Sequence, residues 1–278
     1  MGKPIIEFMN FSYYYPNTEL PALKNITATI EEEDFIGLIG RNKAGKSTAC
    51  LSMIGITPHI MGGDWIGDIK VNDKILNAST VSDLTDTVGV VFQDAESQFT
   101  QETVEDEIAF SMCNLGYDRS TMIQRVEEVV KSCNLGEFLG RSPFQLSGGQ
   151  QQRLAVACLL ALRPQVIILD ESTSQLDPIG RDEIFSLVSK LHEQGRTVIM
   201  VDHNIEKIAE YCNKVMVLFD GELKMFGPTK EILQQKELLE MYDIRLPQVT
   251  SAAYGLKDEL GYKTLPVKLD EAIELFSK

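Results

Sequence analysis

The sequence lacks any long apolar run. None of its 278 residues belongs to a stretch close to the ~20 apolar residues that a membrane-spanning helix needs. The N-terminus also lacks the basic and apolar segments of a signal peptide. We therefore expect a cytosolic chain whose membrane work, if it has any, is done through partner chains.

Basic residues and paired cysteines are also scarce. The 26 Lys and Arg against 41 Asp and Glu give a formal net charge of −15. Proteins that bind nucleic acid usually carry a basic face, so this balance predicts no nucleic-acid partner. The five cysteines show no C-x-x-C spacing, which is typical of free, mostly buried thiols in a reducing compartment.

What the sequence does contain is a glycine-rich loop after an apolar run. Residues 35–39 read FIGLI. Residues 40–48 read GRNKAGKST and are called the phosphate loop from here on. The pattern G-x-x-x-x-G-K-[ST] between a strand and a helix lets backbone N–H groups surround a polyphosphate, aided by the helix dipole. Lys46 then reaches the β- and γ-phosphates, and the Ser47 hydroxyl reaches magnesium. The predicted ATP-binding residues are Gly40, Arg41, Asn42, Lys43, Ala44, Gly45, Lys46, Ser47 and Thr48.

A second apolar run ends in two carboxylates. Residues 166–169 read VIIL and are followed by Asp170 and Glu171. Such a strand holds magnesium in proteins that have a phosphate loop. For the glycine-rich loop alone, the alternative is a strand-to-helix turn that binds nothing. A chance match to both halves of one phosphate site is far less frequent than a chance match to either half alone.

The chain between and after these motifs alternates in character. Residues 104–162 have helical apolar spacing and look like an inserted helical subdomain. Strands and helices then alternate up to residue 212, which predicts a parallel sheet covered by helices. A hairpin with Asp220-Gly221 at its turn follows. Beyond residue 228, short helical pieces need a surface to bury against, either their own domain or a second chain.

Three consecutive tyrosines, Tyr13, Tyr14 and Tyr15, precede the phosphate loop in the sequence. We place them on the connection between short strands at residues 5–8 and 26–30. They cannot all face one core, because successive side chains on an extended segment point to opposite faces. An exposed ring here could stack on adenine, and for Tyr13 core packing is an equal alternative.

Further polar motifs follow the predicted strands. Residues 146–153 read LSGGQQQR and stand before a helical run. They are called the signature segment from here on. Ser-Gly-Gly at a helix N-terminus offers a second anion-binding surface, and a plain helix cap is the alternative. Gln93 and His203 each follow a strand. Polar groups at the carboxyl ends of parallel strands point into a ligand crevice.

In their order along residues 5–226, these motifs and the segment SQLD at 174–177 resemble those of the ABC-type ATPases. Residues 58–63, 92–98, 103–110 and 172–180 are similar to the energy-coupling factor (ECF) subgroup, which drives uptake of vitamins and metal ions. The resemblance implies an α/β P-loop NTPase fold with a mixed central sheet, an N-terminal antiparallel β subdomain and an inserted helical subdomain. We therefore predict a catalytic domain over residues 1–227, with the helical subdomain at about 95–163, and an extension over 228–278 that helps pair two ATPases.

The resemblance also implies residue roles. Glu171 orients or deprotonates the attacking water, His203 holds the γ-phosphate and Glu171, and Gln93 touches metal and water while reporting to a transmembrane partner. Tyr15 stacks on adenine. The implied magnesium ligands are Ser47, Gln93 and Asp170.

The signature segment is implied to act on a second chain. Ser147, Gly148, Gly149 and Gln150 close over the nucleotide held by the opposite subunit, and Asp177 couples the two sites. Because the sequence has one phosphate loop and one signature segment, it needs a second ATPase, identical or different. Further implied partners are a transmembrane scaffold and a substrate-binding membrane subunit, at the cytoplasmic face of the membrane. The solute is chosen by that separate subunit, so this sequence does not name it.

Two other functions compete with this interpretation. One is an ABC ATPase not attached to a transporter that acts on DNA or ribosomes. Its relatives carry a coiled-coil insertion, a second cassette or basic extensions, none of which is visible here. The other is a cassette that binds ATP without turnover, against which Glu171 and His203 argue.

Three positions depart from the family pattern. Lys43 stands where glycine is common, which either strains a backbone site with positive φ by ~1–2 kcal/mol or adds a cation near phosphate. Ala95 and Ser172 each replace a usual proline and loosen the loops after Gln93 and Glu171. None of the three removes a catalytic group, so hydrolysis is still expected.

Overall fold

The computed structural model describes residues 2–174, 176–256 and 264–277 of the chain. Gln175 of the SQLD segment and residues 257–263 of the predicted extension lie outside these ranges. The chain forms two compact units, Met1–Leu84 with Ile199–Lys278 and Thr85–Val198. The predicted helical subdomain falls within the second unit, and the boundary at residue 227 stays a prediction.

An antiparallel sheet begins the first unit, in the strand order β2-β1-β4-β5. Its strands are β1 (Pro4–Tyr14), β2 (Leu23–Glu31), β4 (Asp64–Val71) and β5 (Lys74–Ile75). Along β2, buried Ile26, Ala28 and Ile30 alternate with exposed Thr27 and Thr29, so one face of the sheet is buried and the other is solvated. The predicted N-terminal antiparallel subdomain is confirmed.

Strand β1 is longer than the sequence predicts. Tyr13 and Tyr14 lie in β1 and not on a connection, because they pair with β4, where Tyr14 faces Asp64. Asn10 has φ 52° beside an irregularity in this pairing, and a bulge bends a strand without ending it. Tyr13 is fully buried, so core packing is the correct alternative for that residue.

The first unit also contains a mixed group of strands in the order β10-β9-β3-β8. These are β3 (Phe35–Ile39), β8 (Thr197–Val201), β9 (Lys214–Phe219) and β10 (Glu222–Pro228). β3 is parallel to β9, and β10 is antiparallel to β9. Asp220 and Gly221 turn the hairpin with φ 50° and 79°, as the favoured two-residue hairpin turn requires. The mixed sheet and the hairpin are both confirmed.

The helices of the first unit include the predicted extension. They are α1 (Lys46–Met53), α2 (Ile56–His59), α3 (Val81–Thr85), α8 (Ile205–Tyr211), α9 (Thr229–Leu233), α10 (Lys236–Met241), α11 (Gln248–Gly255) and a C-terminal helix, Leu269–Phe276. Leu233, Leu239 and Ala253 are fully buried, and the Thr229 hydroxyl donates to the Cys212 carbonyl at 2.7 Å. The extension therefore buries part of its apolar surface on its own unit. Its contact with a second chain stays a prediction.

The second unit pairs two parallel strands and carries the predicted helical block. The strands are β6 (Val88–Val91) and β7 (Val166–Asp170), and the helices are α4 (Val104–Asn114), α5 (Arg119–Ser132), α6 (Gly148–Leu162) and α7 (Pro178–Glu193). Asp118 caps α5 by accepting the Thr121 N–H. Hydrogen bonds from Ser120 and Thr121 hold the pKa of Asp118 well below its usual range. Capping side chains thus fix where these helices begin.

All five cysteines are free thiols, as predicted. Cys50, Cys133 and Cys212 are buried, while Cys113 is exposed. Burial raises the pKa of Cys133 to about 12 and also raises that of Cys212, so these thiols stay protonated and unreactive at neutral pH. Within the described ranges, no helix is long and apolar enough to cross a membrane.

Candidate nucleotide-binding and catalytic site

The phosphate loop joins the fully buried strand β3 to helix α1. Gly45 is the N-cap of α1 with φ 101°, a conformation that disfavours any residue with a Cβ. Gly40 packs so closely on the β9 strand that an added Cβ would lie 2.2 Å from the Leu218 carbonyl oxygen. The glycines at both ends of the pattern are therefore required by the backbone.

Lys46 is held inside this loop. Its side chain is 5% exposed, and its ammonium group donates to the carbonyl oxygens of Gly40 at 3.0 Å and Arg41 at 3.2 Å. The ammonium group thus lies at the concave side of the loop, where a phosphate would be its charged partner. Ser47 is exposed and Thr48 is buried, so the loop presents Ser47 to solvent.

Lys43 occupies the strained position that the sequence predicts. Its φ is 66°, in the left-handed region that costs a residue with a Cβ ~1–2 kcal/mol. Its side chain is exposed, which places a cation at the rim of the loop. Strain and added charge are therefore both present at this position.

Tyr15 lies directly against the phosphate loop. Its hydroxyl is 3.0 Å from Thr48 Oγ1, and its ring meets the buried Tyr13 ring edge to face at 4.9 Å. Tyr15 itself is half-buried. The structure thus brings the predicted adenine-stacking residue and the end of the phosphate loop together. Packing against Tyr13 holds the Tyr15 ring in place.

His203 also belongs to this cluster in the first unit. It is exposed, follows β8 and lines a cavity of about 750 Å³ with Gly40, Arg41 and Asn42. Asp202 and five residues of the segment 243–248 also line this cavity. A polar side chain at the carboxyl end of a strand therefore lines the same cavity as the beginning of the phosphate loop, and its role at the γ-phosphate stays a prediction.

In the second unit, the β6–β7 register brings the predicted catalytic groups to one edge. Val91 pairs with Leu169, and Gln93 and Glu171 each follow that pair by two residues. Asp170 is 6% exposed at the end of β7, while Gln93 is exposed. Glu171 has φ 51°, an uncommon left-handed conformation that recurs at functional sites.

The signature segment begins helix α6 with a capping box. Ser147 Oγ accepts the Gln150 N–H at 3.4 Å, and Gln150 Oε1 accepts the Ser147 N–H at 2.9 Å. Ser147 and Gly148 are exposed, and an added Cβ at Gly148 would meet no atom within 4 Å. The segment therefore caps its own helix, and the same geometry leaves an open surface at the helix N-terminus, so its action on a second chain stays a prediction.

Asp177 is likewise a helix cap. Its carboxylate accepts the Gly180 N–H at 2.7 Å at the beginning of α7. The side chain is exposed. Its coupling role stays a prediction.

One part of the site is not apparent from sequence. The sequence predicts Arg41 only as a member of the phosphate loop, but its guanidinium group pairs with Asp220 and lies over the Phe219 ring at 4.6 Å from the centroid. The two partners are 179 positions apart. The hairpin turn at Asp220-Gly221 is visible in the sequence, but nothing in the pattern says which loop it contacts.

Comparison with known proteins agrees with this site. Residues 23–174 match the family model for ABC transporters. The chain is 36% identical over its whole length to the energy-coupling factor transporter ATP-binding protein EcfA1 of Geobacillus kaustophilus, all of which it covers. It is 39% identical to EcfA of Enterococcus faecium, with 90% of this chain and 89% of the relative covered.

Solved structures give the same result. CbiO1 of Clostridium perfringens, described as part of the ABC transporter complex cbiONQ, has a TM-score of 0.75 and 29% identity, with 91% of this chain and 99% of that chain covered. A dimeric ATP-binding cassette bound to ADP and Pi after hydrolysis has a TM-score of 0.70 and 28% identity, with 81% and 98% covered. With its phosphate loop, acidic strand end and signature segment, the chain is an ATP-binding ATPase of the ABC transporter family and belongs to the energy-coupling factor ATP-binding proteins.

Proposed function

We propose that the chain couples ATP hydrolysis to uptake of a vitamin or related micronutrient, as the ATPase subunit of an ECF-type importer. The observation that carries this proposal is full-length similarity to proteins named energy-coupling factor ATP-binding proteins, extension included. The complex to which CbiO1 belongs supports it. An ABC ATPase that works apart from a transporter is not favoured, because the similarity to the transporter protein EcfA1 spans the whole chain.

ATP binding is assigned to the phosphate loop and Tyr15. The loop N–H groups and Lys46 surround the phosphates, and the Tyr15 ring stacks on adenine. Tyr15 is suited to this role because its hydroxyl contact with Thr48 and its packing on Tyr13 hold the ring next to the loop.

Magnesium is assigned to Ser47, Gln93 and Asp170. A hydroxyl, an amide oxygen and one carboxylate fit this ion, which prefers oxygen ligands and usually completes its shell with water and substrate phosphates. When bound, the ion neutralises charge on the β- and γ-phosphate oxygens. Asp170 supplies the carboxylate from the buried end of β7, and Ser47 supplies an exposed hydroxyl.

Hydrolysis is assigned to Glu171, with His203 and Gln93 as positioning groups. Glu171 accepts a proton from the attacking water, a role typically worth a factor of ~10²–10⁴ in rate. The β6–β7 register supports the pairing of Gln93 with Glu171. The position of His203 beside Gly40 and Asn42 supports its role at the γ-phosphate.

A second ATPase chain completes each site in this proposal. The exposed N-terminus of α6, with Ser147, Gly148, Gly149 and Gln150, closes over nucleotide bound by the other chain, and Asp177 couples the two sites. The dimeric state of the cassette bound to ADP and Pi supports this arrangement. Open space at Gly148 leaves room for a partner's phosphate group.

The extension supplies an additional contact between the two ATPases. On the C-terminal helix, Leu269, Ile273 and Phe276 are 65%, 55% and 44% exposed. Their i, i+4, i+7 spacing puts them on one face. Ala272, at the edge of the same apolar face, is buried, so the helix packs on its own unit along that edge and still presents an apolar face outward.

The importer assignment is tested by copurification. We place the chain at the cytoplasmic face of the membrane, bound to a transmembrane scaffold and a substrate-binding membrane subunit. Tagged chain at native expression level, extracted from salt-washed membranes in mild detergent, should bring down two integral membrane proteins and an ATP-binding chain. Recovery of the chain wholly in the salt wash, without any membrane protein, would contradict the assignment.

A further inference from the structure

The β9–β10 hairpin holds the Arg41 side chain of the phosphate loop from two sides. The guanidinium group forms an ion pair with Asp220 and lies 4.6 Å from the Phe219 ring centroid. A cation over an aromatic face is attracted by the ring quadrupole. Arg41 is therefore fixed by two consecutive residues of the hairpin.

The same hairpin also holds the backbone of the phosphate loop. The Gly221 N–H donates to the Ala44 carbonyl at 3.1 Å, and Gly40 packs on the Leu218 carbonyl oxygen. A shift of the hairpin turn therefore moves the loop at its beginning and at its middle. Since the Gly40 and Arg41 carbonyls hold the Lys46 ammonium group, that shift also moves Lys46.

The extension contacts this hairpin through Tyr242. The Tyr242 ring lies 5.4 Å from the Phe219 ring at an interplanar angle of 47°. Tyr242 is half-buried and directly follows helix α10, which is anchored by the fully buried Leu239. Residues 243–246 and 248, which come next, line the cavity that Arg41 and His203 also line.

We propose that Tyr242 is a positioning residue: through Phe219 and Arg41, it lets the extension set the ATP affinity of the phosphate loop in its own chain. Loss of the Tyr242 ring frees the Phe219 ring, which weakens the support under the Arg41 guanidinium group. The loop then samples more conformations before binding, and the apparent affinity falls with the fraction that is competent. The proposal rests on the phosphate loop being the ATP site, and it adds a role of the extension within one chain.

The test compares Tyr242→Ala with Tyr242→Phe and with Tyr254→Ala in the full-length chain. Tyr254 is also a half-buried tyrosine of the extension, with Lys236 over its ring at 4.5 Å, and it is the matched control. Aromatic pairs of this kind are worth a few-fold in an equilibrium, so Tyr242→Ala should weaken binding of a non-hydrolysable ATP analogue about 5-fold. Tyr242→Phe keeps the ring and should bind as wild type does.

Kinetics and a double-mutant cycle separate positioning from general damage. Tyr242→Ala should raise KM for ATP and leave kcat at saturating ATP unchanged, because no catalytic group is lost. Combined with Arg41→Ala, it should add little to the loss from Arg41→Ala alone, since both act through one contact. Losses that multiply, or equal losses in Tyr242→Ala and Tyr254→Ala, would overturn the proposal.

One further variant isolates the assumption about the ATP site. Lys46→Ala should abolish analogue binding. Wild-type binding in Lys46→Ala would show that the phosphate loop is not the nucleotide site. Wild-type affinity in Tyr242→Ala, with binding lost in Lys46→Ala, would refute the role of Tyr242 alone.

Discussion

Single residues of this chain carry both the proposed chemistry and the local departures from the family pattern. Glu171 combines a carboxylate at a strand end with φ 51°, and Lys43 combines a cation with φ 66°. Both conformations cost free energy in residues with a Cβ. The difference is that Glu171 has an assigned role, whereas Lys43 can be replaced without loss of a catalytic group.

Glu171→Gln should keep ATP binding and nearly abolish turnover. The change removes only the proton acceptor, so phosphate release at saturating ATP should fall ~100-fold or more. The variant should also accumulate as an ATP-bound dimer. Glu193→Gln, at the exposed end of α7, is the control, and similar rates in the Glu171 variant and wild type would exclude Glu171 as the base.

Lys43→Gly should stabilise the protein. Glycine adopts φ 66° without a Cβ clash, which recovers ~1 kcal/mol, less the entropy that glycine adds to the unfolded chain. A rise in Tm of ~2 °C is expected by calorimetry. Lys43→Ala removes the charge and retains the strain, so its Tm should not rise. A change of ATP affinity that both variants share would be caused by the loss of the lysine charge.

At the scale of elements, the extension is an integral part of the first unit. Leu233, Leu239 and Ala253 are fully buried, so removal of residues 228–278 would expose core surface as well as any dimer contact. Point substitutions on its exposed face avoid this problem. The C-terminal helix offers Leu269 and Ile273 for that purpose.

Leu269→Glu combined with Ile273→Glu should weaken dimerisation when ATP is absent. Two charges on the exposed face oppose burial of that face against a second chain, while Ala272 still packs inward. Sedimentation velocity without nucleotide should show more monomer than in wild type. Leu20→Glu, at an 80% exposed leucine outside the extension, serves as control, and unchanged dimerisation of the double variant would rule out this contact.

At the scale of the whole molecule, the proposed mechanism gives one chain two half-sites. The sequence has one phosphate loop and one signature segment, so in this proposal hydrolysis depends on pairing. A Lys46→Ala chain and a Ser147→Arg chain should each be inactive alone, since each lacks one half of every site. Mixed together, they form pairs with one intact site, and phosphate release should rise well above the sum of the two parents.

A concentration series provides the second check on that prediction. Specific activity of wild type should fall as the protein is diluted through the dissociation range of the dimer. No gain of activity on mixing, with constant specific activity on dilution, would show that one chain hydrolyses ATP by itself.

Local patterns in the sequence determined much of the site, because each depends on neighbouring residues. The phosphate loop needs a strand, two glycines and a lysine within residues 35–48. The Ser147 cap needs only Gln150, three positions on. The Asp220-Gly221 turn follows from backbone preferences of two residues. Such short-range rules do not depend on how the rest of the chain folds.

Only the tertiary structure decided what depends on distant partners. The extent of β1 through Tyr14 follows from pairing with β4, about 50 residues later. Two sets of contacts join segments that are far apart in the chain. Arg41 contacts Phe219 and Asp220, and Tyr242 contacts Phe219. Pattern and propensity act over a few residues, whereas these contacts exist only after the sheet brings the hairpin beside the loop. The sequence by itself therefore determined which groups are predicted to perform the chemistry, and packing determined what holds them in place.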